Sequence, residues 1–108
     1  MKRMFRQGDV LLVECGEVPS DAKKLKREGG KLILARGEVT GHHHAVMERE
    51  AELVESASAK AVFLKIMGSA PATLTHQEHG AITIPPGTYR VIRQREQYSP
   101  AEIRQVAD

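Results

Sequence analysis

"AVFLKIM", residues 61–67, decides the fold class. Val62, Leu64 and Ile66 alternate with Phe63, Lys65 and Met67, a period of two that belongs to strands and not to helices. One face of such a strand is wholly apolar and the other partly covered, which fits a sheet packed against a core. The same pattern runs outward in both directions. Upstream, "GDVLLVE" (8–14) is a short apolar run opened by a turn residue, and "AELVE" (51–55) is a further extended piece. Between them "KLILARGEVTGHHHAVM" (31–47) reads as extended structure punctuated by Gly37 and Gly41, which suggest bends or bulges. Downstream, residues 68–96 supply three more extended pieces, separated by "HQEHG" and by the turn "PPG".

Two segments break the pattern. "SDAKKLKREGG" (20–30) predicts one or two surface helical turns, with Ser20 as N-cap and Gly29 just past the end. "SPAEIRQVAD" (99–108) predicts a short C-terminal α-helix over about 99–107. Ser99 is its N-cap, Pro100 its first residue and Glu102 the partner of a capping box, while Ile103, Val106 and Ala107 share one face. About eight short strands with frequent turns predict an all-β fold, a small antiparallel barrel or a two-sheet roll.

Composition sets the outer limits. A chain of 108 residues fits a single domain, 1–108, with one modest core. Two Phe, two Tyr and no Trp leave that core to Val, Ile, Leu, Met and Ala. No apolar run approaches the ~18 residues of a membrane span, and the basic start lacks the apolar stretch of a signal peptide. The one cysteine, Cys15, excludes an internal disulfide and suits a reducing cytoplasm; a small buried side chain at a strand end is its expected role. Sixteen Lys+Arg against 14 Asp+Glu give a net charge of +2, which argues against a committed nucleic-acid binder. The basic residues Lys23, Lys24, Lys26, Arg27, Arg93 and Arg95 read as solvated faces, since no aromatic platform accompanies them.

Chemistry concentrates in the histidines. All five lie in two clusters, "GHHHAV" (41–46) and "THQEHG" (75–80). On a strand His42 and His44 share a face and His43 points the other way. His76 and His79 can converge across a tight turn. The expected metal ligands are therefore His42, His44, His76 and His79, with Glu48 and Glu78 as candidate catalytic groups, ligands or outer partners. Imidazole suits Zn, Ni, Cu and Fe, so ligand type leaves the divalent transition metal open. A closed four-nitrogen site would be structural, and three ligands with an open position would be catalytic. A metal-free acid–base role and a plain polar loop are the competing readings.

His42, His44 and Glu48, with three residues between the second and third, resemble the first motif of the cupin β-barrels. Pro85, Pro86 and Gly87 match the turn of the second motif, where Arg90 stands in place of the histidine ligand. This resemblance covers about a quarter of the chain. It implies a metal-bearing barrel if His76 or His79 replaces the missing ligand, and an enzyme of that type would be a metal-dependent hydrolase or oxygenase. The ordered blocks "RQGDVLLV", "GEVTGHHHAV", "LTHQEHGAI", "PPGTYRV" and "QYSPAEIRQVAD" also resemble a group of small uncharacterised bacterial proteins, across nearly the whole chain.

Metal binding through the four histidines is the leading expectation, with the question of an enzyme left open. The alternative from another class is a non-enzymatic, homo-oligomeric binding or assembly module. Its Gly-punctuated strands resemble co-chaperonin-type barrels, and its histidines would lie at an interface.

Overall fold

The computed structural model describes residues 2–36 and 41–93. Among the described residues ten strands form two antiparallel sheets, and there is no helix. The first sheet contains β1 (Met4–Gln7), β2 (Val10–Cys15), β3 (Lys23–Lys24), β6 (Ala51–Ser56), β7 (Ala61–Ile66) and β10 (Gly87–Arg93), in the order β1-β2-β10-β7-β6-β3. The second contains β4 (Leu32–Arg36), β5 (His43–Val46), β8 (Ala72–Thr75) and β9 (Ile82–Ile84), in the order β4-β5-β8-β9. Neither sheet closes on itself among the described residues. Of the two expected architectures the structure therefore takes the two-sheet one and not the closed barrel.

Alternation builds the core between the sheets. Val10, Leu12, Leu53, Val62, Leu64, Ile66, Tyr89 and Val91 from the first sheet meet Leu32, Leu34, Val46, Ala72, Leu74 and Ile84 from the second. Leu12, Leu34, Leu64, Leu74, Ile84 and Tyr89 are completely shielded from solvent. Phe63 points to the opposite face of β7, where it joins Val54 and Ala61 in a smaller cluster lined by Cys15, Val18 and Ala22. That cluster is the second, partly covered face of "AVFLKIM". Cys15 sits there at the end of β2, and burial pushes its thiol pKa up.

The helical turns expected at 20–30 are absent. Lys23 and Lys24 pair with Glu55 and Val54, and the Leu25 N–H donates to the Leu53 carbonyl. Extended backbone puts Ala22 on the smaller cluster and Leu25 on the main core, so both apolar side chains are used. On a helix the two side chains, three residues apart, would share one face, whereas extended backbone lets each pack on a different cluster. Tertiary pairing outweighs weak local propensity. The helix expected over about 99–107 lies outside the described residues.

Chain direction changes sheet at "PPG". β9 ends at Ile84 in the second sheet, and β10 starts at Gly87 in the first. The Tyr89 hydroxyl donates to the Pro85 carbonyl at 2.6 Å and pins this corner. Phe5 packs edge-to-face on the same ring, 5.8 Å between centroids.

Candidate metal centre

Three chain segments meet at one end of the two-sheet stack. β5 brings His43 and His44, with His42 just before it; the β8–β9 connection brings His76 to Gly80; the β1–β2 hairpin brings Gln7 and Gly8. Gln7 pairs with Val10 across Gly8 and Asp9, a two-residue turn. Gly8 has φ +57°, which glycine adopts at no steric cost and which two-residue hairpins favour at this position. In β4 a register shift between Ile33 and Ala35 sets Ala35 opposite His44 and Arg36 opposite His43.

His44 shares its face of β5 with Val46 and is buried, 6% exposed. The rings of His42, His44, His76 and His79 nest together. Centroid separations are 4.3 Å for His44–His76, 4.6 Å for His76–His79, 5.6 Å for His42–His76 and 6.1 Å for His44–His79. His43 is turned to Gln77, whose Oε1 accepts its backbone N–H at 2.8 Å and whose Nε2 lies 3.3 Å from its Nδ1.

Each ring is held differently. His44 Nδ1 lies 2.8 Å from Gln7 Oε1. His42 Nδ1 lies 2.6 Å from Glu78 Oε1. His76 Nδ1 instead accepts the backbone N–H groups of Glu78 and His79, at 3.0 and 3.2 Å. His79 is exposed and lays its ring against the Gly8 backbone; a Cβ at residue 8 would fall 2.6 Å from its Nε2.

Electrostatics keep the buried ring neutral. Burial lowers the His44 pKa to about 4, helped by the neighbouring His76 and His79, with Asp9 opposing. The His76 pKa is lowered too, by burial first and then by His79 and His42. Neutral imidazoles keep a nitrogen lone pair, the form a metal requires.

Of the sequence-predicted site residues, the structure brings together His42, His44, His76, His79 and Glu78. It does not bring Glu48 to them. Glu48 lies beyond the far end of β5, where its Oε2 accepts the Thr73 backbone N–H at 3.1 Å. Its carbonyl, with those of Gly30, Met47 and Ala51, accepts from the Arg27 guanidinium. As they stand, no three or more His, Cys, Asp or Glu side chains among the described residues are arranged to hold a metal ion. The His76 ring is one obstacle. A ring that coordinates through Nε2 has its hydrogen on Nδ1, and the two N–H groups donating to His76 Nδ1 forbid that. Coordination by His76 through Nε2 requires the ring to turn and release both bonds.

Sequence reading missed Gln7 and Gly8. "RQGD" was legible as a strand entry, and one signal was available in it. Gln7 is in phase with Phe5, which packs on the main core, so a polar amide stands where an apolar side chain was expected.

A family model described as a domain of unknown function, DUF8820, matches residues 6–94. The chain belongs to the DUF8820 family. The match spans all three segments of this DUF8820 site, from Gln7 to His79. It bears out the resemblance to a small uncharacterised family, and no cupin family is matched. Comparison with the curated proteins and with the solved structures returns no match.

Proposed function

We propose that the protein binds a divalent transition metal through His42, His44, His76 and His79. The observation that carries this reading is the paired arrangement of His42 and His44. His44 turns Nδ1 to Gln7 Oε1 at hydrogen-bond distance, and the Glu78 carboxylate stands 2.6 Å from His42 Nδ1 as an ion-pair partner. Metal-ligating histidines have this outer partner almost without exception, because it fixes the tautomer and raises the basicity of the other nitrogen. His76 and His79 lie on a loop against those rings and complete the set once His76 turns. In this reading Glu78 is an outer-sphere partner of His42, and Glu48 has a structural place away from the metal.

An all-imidazole donor set suits Zn, Ni, Cu and Fe and leaves out the hard cations Ca and Mg. Cupin-type chemistry is the enzymatic extension of this proposal. It requires three ligands and an open position, with a metal-bound water or an oxygen-binding metal as the reactive group.

The test is elemental analysis of untagged protein from metal-replete cells, beside His42→Ala and His44→Ala. Near-stoichiometric metal in the wild type, lost in both variants, is the expected result. Metal-free wild-type protein that also fails to take up zinc, nickel, copper or ferrous iron in vitro overturns the proposal.

A further inference from the structure

We propose that Gln7 is the positioning residue of this site, fixing the tautomer of His44 so that Nδ1 carries the hydrogen and Nε2 the lone pair. The use of that lone pair rests on the metal reading above; the tautomer does not.

The argument starts from the amide. Gln7 is buried, 3% exposed, and its Nε2 donates to the carbonyls of Leu74 and Gly80 at 3.0 and 2.9 Å. Carbonyl oxygens only accept, so the amide nitrogen faces them and spends both hydrogens there. Oε1 then faces His44 Nδ1 at 2.8 Å. A flipped amide would set its oxygen against two carbonyl oxygens and leave both unsatisfied, at about 1–3 kcal/mol for each buried group. The orientation is therefore fixed from outside the histidine. Because Oε1 cannot donate, Nδ1 must, and a neutral imidazole has only one N–H. His44 stays neutral near pH 7. Its Nε2 is left bare.

His76 provides a contrast inside the same cluster. Two backbone N–H groups donate to its Nδ1, so its hydrogen sits on Nε2. Two rings 4.3 Å apart are thus held in opposite tautomers, one by a side chain from the other sheet and one by its own loop. Gln7 stands on β1, while His44, Leu74 and Gly80 belong to the second sheet and its β8–β9 connection. One side chain therefore aligns the first sheet, the loop and the buried ring together.

Long-range proton–nitrogen NMR of the metal-free protein near neutral pH reads the tautomers directly. The expected wild-type result is Nδ1–H for His44 and Nε2–H for His76. In Gln7→Leu, His44 should move toward Nε2–H while His76 is unchanged, and zinc affinity should fall about 10- to 100-fold. A purely structural role would lower stability without moving the His44 tautomer. An Nε2–H tautomer for wild-type His44, or an unchanged tautomer in Gln7→Leu, overturns the proposal. The wild-type spectrum decides the first half even if Gln7→Leu does not fold. Expected tautomers in a protein that takes up no metal support the positioning role and remove the metal reading, so the two fail separately.

Discussion

His44 couples the site to pH through its burial. Its pKa is about 4 when folded and near 6.5 when unfolded, so between those values the unfolded chain binds more protons. Stability from this group is therefore fully present above about pH 6.5 and is lost as pH falls toward 4, with no further loss below. The span of the shift corresponds to about 3 kcal/mol at most. Urea unfolding of metal-free wild type and His44→Gln, at several pH values between 7 and 4, isolates the term. The variant should lack the His44 share of this loss, while His76, whose pKa burial also lowers, contributes with the same sign in both proteins. Asp21 and Glu14, whose carboxyl pKa values are lowered by hydrogen bonds from Ser56 and by Arg3, contribute at more acid pH in both proteins alike. Equal pH dependence in wild type and variant would show that His44 is not the buried neutral group.

At the scale of elements, two connections carry the site and the fold. In the β1–β2 hairpin, Gly8→Ala places a Cβ 2.6 Å from His79 Nε2 on a backbone with positive φ. The exposed ring must swing away, and the backbone strain costs about 1–2 kcal/mol. Zinc affinity should fall and His79 resonances should move, while β5 and His44 keep their shifts; an unmoved His79 would refute the contact. At the β9–β10 corner, Tyr89→Phe removes the donor to the Pro85 carbonyl and should cost about 1–2 kcal/mol in urea unfolding. These connections also mark what the sequence could show. Strand periodicity separates His43 from His42 and His44, and "HQEHG" sits where a turn must be. The partner of His44 is a glutamine from a hairpin far away in sequence, and no local pattern encodes that pairing. The apparent helix at 20–30 misleads for the same reason: Leu25 and Ala22 take their faces from β6 and the core, not from their neighbours.

Across the whole molecule, the site lies on the seam between the two sheets. Alternating residues made two apolar faces legible, but an open two-sheet stack and a closed barrel share that alternation and differ only in which edges pair. The difference matters for the proposed metal site, because the hairpin holding Gln7 belongs to one sheet and the residues it bonds belong to the other. A ligand that binds only the folded state stabilises it by RT ln(1 + [L]/Kd), about 2.7 kcal/mol at 100 times Kd. For a chain of this size that is a rise in Tm of roughly 10 °C, expected with zinc for wild type and not for His44→Ala. Because Gln7 ties His44 to both Leu74 and Gly80, the gain should not stay in the loop. Hydrogen exchange with and without zinc should show added protection for amides of β1 and β2 as well as β5 and β8. Protection confined to residues 76–80 would mean that the metal orders the loop alone, and that the seam is held by the apolar core without help from the histidines.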